Sequence, residues 1–186
     1  MSLAGDFYNV FQGASWNDLL TPATVIPIRG QSGDPGVDAD GTLLFDAATG
    51  EQVALIYQMP HNWDQTVIRF HVHWAKTTSG TGDVLWEYRW RGANNGETMA
   101  TGYSAWIAAT GRSTAVTGNT GKNQITIDAF PELDLSAYRG SSIIAMQLRR
   151  SGAATGDTYA ADARLWSADP HLRLVGLGSE TEYGGT

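Results

Sequence analysis

The stretch TVIRFHVHWAK, from Thr66 to Lys76, decides the fold. Successive side chains of an extended chain point to opposite faces. In this stretch one face is apolar and the other is largely polar: Ile68, Phe70, Val72 and Trp74 against Val67, Arg69, His71 and His73. This period of two predicts a β-strand that places its apolar face in a core.

A second alternating stretch follows after a turn. The run DVLWEYRWR, from Asp83 to Arg91, again separates apolar from charged side chains. The intervening residues 77–82 are all Thr, Ser or Gly. Two alternating runs joined by a short glycine turn predict a β-hairpin.

Short apolar runs recur between glycine-containing turns along the rest of the chain. Together they predict roughly eight to ten strands and no long helix. A longer crossing loop is expected around Pro131. We therefore predict an all-β fold, an antiparallel β-sandwich of jelly-roll type.

The sequence divides by composition into three parts. Residues 1–41 are rich in Gly, Pro and Asp, so we predict an N-terminal arm or linker there, with one helical turn at residues 15–20. Residues 42–178 form the predicted sandwich domain, and residues 179–186 form a polar C-terminal tail. An arm of this kind can lie across a neighbouring subunit.

Composition argues against several classes of protein. The 186 residues carry a net charge of −7 and no cysteine, which excludes disulfides and thiolate metal sites. Binding to phosphates needs a basic patch, so no nucleic-acid partner is expected. We expect neither a secretory signal nor a membrane-spanning stretch. Because no nucleophile elbow or phosphate loop occurs, we also expect no enzymatic activity.

Two histidines on the deciding stretch form the sharpest candidate site. His71 and His73 share one face of the strand about 7 Å apart, a spacing that can hold one metal ion. His61 is a candidate third ligand, and Glu87 and His171 are further side chains that could approach. Alternatively, the pair lines a hydrated face or a subunit interface.

A metal ion at these histidines is the only cofactor that the sequence suggests. Cupin enzymes carry a similar His-x-His pair on a jelly-roll strand, followed shortly by a glutamate. Residues 74–78 of this chain supply no carboxylate. A cupin-like metal-binding protein is therefore one alternative interpretation, with an incomplete set of ligands.

Tryptophan is frequent, with 7 in the chain. Sugars stack on exposed indole rings, so a carbohydrate-binding, lectin-like module is a second alternative. Most of the tryptophans alternate with charged residues on predicted strands, which favours positions in the core or at an interface. The candidate interface or ligand-stacking residues are Arg69, Trp63, Trp74, Arg89 and Trp90.

Three short runs, QMPH, HVHW and YRW, occur in this order at residues 58–61, 71–74 and 88–90. Together with LGSETE at 177–182, they resemble a family of phage and prophage virion structural proteins of largely unassigned function. The resemblance implies a β-sandwich or jelly-roll core, a homotrimer and no catalytic residues. It also implies that the histidines lie at an interface or around an axial ion.

From this resemblance we predict a virion component, such as a capsid-decorating, head-fibre or tail-associated subunit. The protein would be made in the host bacterial cytoplasm. Its expected partners are copies of itself and other virion proteins. The tryptophans suggest a glycan as a further partner, whereas neither nucleic acid nor a membrane is expected.

Overall fold

The computed structural model describes residues 15–27, 33–109 and 125–175. Within these ranges the regular structure is β, apart from one 3-10 turn at Ala23–Val25. The strands in chain order are β1 (Ser15–Asp18), β2 (Thr21–Pro22), β3 (Gly36–Val37), β4 (Leu43–Phe45), β5 (Gln52–Gln58), β6 (Trp63–Lys76), β7 (Trp86–Ala93), β8 (Ile107–Ala108), β9 (Thr126–Ala129), β10 (Leu133–Asp134), β11 (Ile143–Arg150) and β12 (Ala163–Leu174). None of the described residues belongs to a helix long and apolar enough to cross a membrane.

The strands form two antiparallel sheets that pack face to face. Sheet I has eight strands, with β4, β12, β6 and β9 adjacent in that order and the remaining short strands along its edges. Sheet II has four strands in the order β5-β11-β7-β8. The chain passes between the sheets repeatedly, and the two strand orders are those of a jelly roll. The predicted fold class is confirmed.

The core lies between the inner faces of the two sheets and is rich in aromatic rings. Phe45 and Trp74 of sheet I each contact Trp86 of sheet II, with ring centroids 5.0 and 6.2 Å apart. Burying one large apolar side chain stabilises the fold by about 1.5–3 kcal/mol. The four apolar side chains of the deciding stretch are all buried, as predicted: Ile68, Phe70, Val72 and Trp74.

The predicted hairpin between residues 66–76 and 83–91 is wrong. Strand β6 pairs with β12 and β9 in sheet I, whereas β7 pairs with β11 and β8 in sheet II. The connection passes from one sheet to the other, so the two apolar faces pack against each other across the core. Alternation determines which face of a strand is buried, but it does not determine which strand lies beside it.

The first described residues extend sheet I, where the sequence suggested an irregular arm and a helical turn. In β1, Asp18 lies opposite His171 of β12, and in β2, Thr21 lies opposite Ala168. Strand β3 pairs with β4. The boundary expected at residue 42 therefore does not separate an arm from the sandwich in the described ranges. Residues 1–14 and the predicted tail at 179–186 lie outside the described residues.

A buried arginine ties the end of β11 to the loop that follows it. The Arg150 guanidinium donates through Nε and Nη2 to the two oxygens of Asp157, at 2.8 Å each. Nη1 donates to the carbonyl oxygens of Phe45 and Ala161 at 2.9 and 2.7 Å, and Nη2 also donates to the carbonyl of Tyr159. Every guanidinium nitrogen thus has an acceptor, as burial of a charge requires.

Candidate functional site

The outer face of sheet I carries a row of titratable side chains, which we call the histidine face. It consists of His71 and His73 of β6, Asp169 and His171 of β12, and Asp18 of β1. Asp169 lies opposite His71, and Asp18 lies opposite His171, in the antiparallel registers. Directly opposed residues project to the same side of a sheet, so the five side chains share one face.

The Asp169 carboxylate lies within this row and is completely buried, with 0% of its side chain exposed. His73 Nε2 is 3.0 Å from Asp169 Oδ1, and His71 Nδ1 is 3.8 Å from Oδ2. These contacts are close enough for ion pairing, but neither oxygen has an aligned hydrogen-bond donor among the described residues. Asp169 therefore combines full burial with an incomplete set of partners, which is costly for an ionised group.

The two histidines beside Asp169 have pKa values shifted in opposite directions. The short contact with Asp169, in which a protonated ring would donate a hydrogen bond, raises the pKa of His73 above its ordinary value of 6.5. Desolvation lowers the pKa of His71 below 6.5, against the attraction of the same carboxylate. His71 is therefore mainly uncharged near neutral pH, and the uncharged imidazole is the form that binds metal ions.

Two overlapping groups on the histidine face have ligand atoms close enough to share one cation. In the first group, one ligand atom each of His71, His73 and Asp169 lies within 4.8 Å of the others. The second group combines Asp18, His71 and His171 within the same limit. Imidazole nitrogens with a carboxylate oxygen form a donor set that suits zinc and other first-row transition metals.

His171 extends the row toward β1. Its ring centroid lies 5.0 Å from that of His71, and the Trp16 ring packs edge-on against it at 4.9 Å. His171 Nε2 is 3.9 Å from Asp18 Oδ1. The expectation that His171 approaches the histidine pair therefore agrees with the structure.

Two other expected ligands lie away from the pair. His61, in the turn before β6, belongs to neither group, and its Nε2 is 2.5 Å from Ser141 Oγ in the turn before β11. Glu87 lies on β7 in sheet II and pairs with Arg149 at 2.7 Å. Because β6 and β7 belong to opposite sheets, their polar faces point to opposite sides of the sandwich, and Glu87 cannot reach the histidines.

Trp63 and Trp74 are core residues, so neither can stack on a ligand as the sequence suggested. Both are buried, and Trp74 Nε1 donates to a carboxylate oxygen of the buried Asp128 at 3.0 Å. Trp90 is half-buried and packs edge-on against Tyr138, with ring centroids 5.8 Å apart. Trp74 faces the core because side chains of β6 alternate between the two faces of the sheet, and Trp74 lies on the same face as the buried Phe70.

The two candidate arginines lie on the outer faces of different sheets. Arg69 extends the histidine face and pairs with Glu132 at 2.7 Å. Arg89 lies on the outer face of sheet II, where Nε donates to Gln147 Oε1 at 2.7 Å. The guanidinium carbon of Arg89 is 4.6 Å from the ring centroid of the half-exposed Trp106. Nothing in the sequence pattern distinguished Trp106 from the other tryptophans.

Asp169 is the residue of the histidine face that sequence reasoning missed. The run Ser167-Ala168-Asp169-Pro170-His171 places Asp169 and His171 on one side of a strand. The residues between them, Ala168 and Pro170, are only weakly hydrophobic. The run therefore lacks the clear alternation of apolar and polar side chains that marks a strand. Their spacing of two residues is the one signal that the sequence offered, since residues i and i+2 of an extended segment share a face, and β12 runs unbroken through both.

The chain matches no protein-family model and no curated protein. Two solved structures are similar to it in fold. One is the CBM35 from Cellvibrio japonicus Abf62, at 15% identity and a TM-score of 0.40 over 94% of this chain and 97% of that one. The other is the dimeric latent PorU from Porphyromonas gingivalis, at 11% identity and a TM-score of 0.34 over 87% of this chain and 13% of that one.

Proposed function

We propose that the protein is a structural subunit of a phage or prophage virion, a capsid-decorating, head-fibre or tail-associated component that assembles with copies of itself. The proposed self-contact is the outer face of sheet I. The observation that carries this choice is that exposed apolar side chains border the histidine face on both sides, Ile127 of β9 opposite His73 at 57% and Trp16 of β1 at 41%. A subunit contact would remove this apolar surface from water.

Further apolar side chains border the same face. Ile125 lies two residues before Ile127 and is also exposed. Trp16 of β1 is exposed at the opposite border, beside His171. Contiguous exposed apolar surface marks interaction sites, and aromatic residues are enriched in protein interfaces. The histidine face is therefore bordered on both sides by residues that a partner subunit would cover.

Charges of both signs stand around this face, so a second copy offers complementary partners. Arg69 pairs with Glu132 at 2.7 Å, and Arg173 Nε lies 3.5 Å from Asp64 Oδ2. Three of these four side chains are more than 40% exposed, and Asp64 is mostly buried. Exposed ion pairs contribute little to stability and can be exchanged for pairs across a contact at small cost.

The virion setting is supported by the resemblance of the QMPH, HVHW and YRW runs to phage and prophage structural proteins. In this chain the three runs fall at the end of β5, in β6 and in β7. They therefore lie in or next to three different strands, one in sheet I and two in sheet II. The same resemblance supports a trimer as the form of the assembly.

Light scattering coupled to size-exclusion chromatography tests the contact. The wild-type chain should have a measured mass of at least twice the 20.0 kDa mass of one chain, and three times that mass as a trimer. Ile127→Asp should shift it to the mass of one chain, because a charge at a subunit contact must be desolvated. The matched control is Ile56→Asp, at a residue 71% exposed on the outer face of sheet II.

A wild-type chain that is monomeric at micromolar concentrations would contradict the proposal. So would an oligomer that dissociates on Ile56→Asp and persists on Ile127→Asp. Circular dichroism of both variants separates loss of assembly from loss of folding. Electron microscopy of purified particles with an antibody to this chain then tests whether it is a virion component.

Carbohydrate binding is a second candidate function, and Trp106 is the residue that favours it. Its ring is half-exposed on the outer face of sheet II, 3.9 Å from the guanidinium carbon of Arg149. An outward-facing indole held by arginines is a suitable platform for a sugar ring. A glycan array should then show binding that Trp106→Ala removes and that the core-packed Trp90→Phe retains. An array without binding would end this candidate.

A further inference from the structure

We infer that His71, His73 and Asp169 bind one divalent transition-metal ion of the zinc class on the outer face of sheet I. This site is independent of the proposed virion function, since it rests on three side chains of a single chain. It brings together the histidine pair on β6 and a carboxylate from β12 that is distant in sequence.

The sheet register brings the three ligands together. His71 and His73 project from one face of β6, and Asp169 projects from β12 directly opposite His71. The ligand atoms of the three residues lie within 4.8 Å of one another. Zinc bonds to nitrogen and oxygen are about 2.0–2.2 Å long, so two ligand atoms on a tetrahedral ion lie about 3.3–3.6 Å apart. Side-chain adjustments of less than an ångström therefore bring all three onto one ion.

The burial of Asp169 and its lack of aligned hydrogen-bond donors point to a bound cation rather than to a simple ion pair. Its carboxylate is fully buried, and neither oxygen has an aligned donor among the described residues. A contact with His73 alone accounts for one oxygen, at 3.0 Å from the ring nitrogen. The second oxygen lies 3.8 Å from His71 Nδ1, beyond hydrogen-bonding distance, so no donor among the described residues satisfies it. A bound dication would neutralise the carboxylate and use both rings in their uncharged form.

The donor set indicates which metals fit. Two imidazoles with one carboxylate suit zinc, nickel, cobalt or iron in the divalent state. Calcium and magnesium prefer oxygen ligands throughout, so neither should compete at this site. Three protein ligands leave a tetrahedral position open, and the half-buried rings indicate that this position faces the solvent side of the sheet. A water molecule or a donor atom of a bound partner can occupy it.

Calorimetric titration of the full chain with zinc tests the site. Protein stripped with EDTA and dialysed against metal-free buffer should bind one zinc ion per chain. Cobalt should bind to the same site and give visible absorption bands of a four-coordinate ion with nitrogen and oxygen ligands. Calcium at the same concentration should give no heat of binding.

Three variants locate the ion. Asp169→Asn and His73→Gln should each weaken zinc binding at least about tenfold, since even residues that only orient a ligand are worth that much. His61→Gln is the matched control, because His61 lies outside the group, and it should bind zinc like the wild type. Thermal unfolding of each metal-free variant confirms that it is folded before titration.

Unchanged zinc affinity in a folded Asp169→Asn variant would overturn the inference, and so would a loss of binding in His61→Gln equal to that in His73→Gln. The absence of zinc binding in the wild type would also overturn it. The titration is repeated on Ile127→Asn, which also places a polar group in the proposed contact but adds no carboxylate beside the ligand His73. Zinc binding by that variant would show that the metal site does not depend on assembly. The two proposals can then fail separately.

Discussion

Two buried carboxylates in this sandwich differ in how their charge is balanced. Asp157 is 1% exposed and accepts two hydrogen bonds from Arg150 at 2.8 Å and one from the backbone N–H of Leu85 at 3.0 Å. Asp169 is 0% exposed and makes ion-pair contacts with the imidazole rings of His71 and His73, with no aligned donor in the part of the chain that is described. A buried carboxylate retains its charge only where protein groups or ions replace the lost water.

Asp157 is therefore a carboxylate that stabilises the fold, whereas Asp169 is suited to bind a cation. The donors for Asp157 all come from its own chain, so its pairing is complete once the chain has folded. The neighbours of Asp169 are His71 and His73, which can themselves bind a cation. A metal ion would satisfy all three side chains at once.

Asp157→Asn should have the largest effect on stability. It leaves the buried Arg150 guanidinium without its counter-charge, and removing one partner of a buried ion pair costs about 3–5 kcal/mol. Urea unfolding followed by tryptophan fluorescence measures the loss. A loss below about 1 kcal/mol would show that Asp157 contributes no more to the stability of the fold than Asp169 is expected to.

Zinc should stabilise the wild-type chain and leave Asp169→Asn unchanged. A ligand that binds only the folded chain, present at a hundred times its Kd, adds about 2.7 kcal/mol to the free energy of unfolding. Thermal unfolding of chelator-treated protein with and without zinc measures this gain, and His61→Gln should retain it. Equal gains in the wild type and in Asp169→Asn would show that the ion binds elsewhere.

In metal-free protein, Asp169→Asn should change the free energy of unfolding by less than about 1 kcal/mol at about pH 9, or increase it. The substitution keeps the shape of the side chain and removes a buried charge that lacks aligned donors. Urea unfolding in the presence of EDTA gives the value. A loss as large as that of Asp157→Asn would assign Asp169 a structural role instead.

The smallest expected effect is a pH-dependent contribution of His73 in the metal-free chain. Asp169 raises the folded pKa of His73 above 6.5, so the stabilisation is fully present below pH 6.5 and is lost as the pH rises through the raised pKa. His71, His171 and Asp18 face the same pair. The stability advantage of the wild type over His73→Gln should therefore be largest in acid, at less than about 1 kcal/mol. Unfolding curves over a pH series check the sign, and an advantage that grows in alkaline buffer would contradict it.

Much of the fold and two of the five residues of the histidine face follow from the alternation in β6. The period of two in residues 66–76 correctly separates Phe70 and Trp74, which enter the core, from His71 and His73, which lie outside. The same pattern predicts a sandwich with inner aromatic faces. Strand pairing could not be predicted in this way, because an alternating strand can neighbour any other strand with the same pattern.

The rest of the site could not be predicted because it depends on that pairing. Asp169 and His171 reach the histidine pair only through the β6–β12 register, about a hundred residues apart in the chain. His61 was a candidate third ligand, yet its turn directs it toward Ser141. Strands β1 and β2 carry no alternation of their own, and they are extended because the edge of β12 supplies their hydrogen bonds.

Zinc-edge anomalous diffraction from crystals of the zinc-loaded chain tests the role of Asp169 most directly. One strong peak per chain is expected on the outer face of sheet I, from an ion bonded to His71, His73 and Asp169 at about 2.0–2.2 Å. A peak at His61 or elsewhere on the surface, with Asp169 still beside His73 alone, would contradict it.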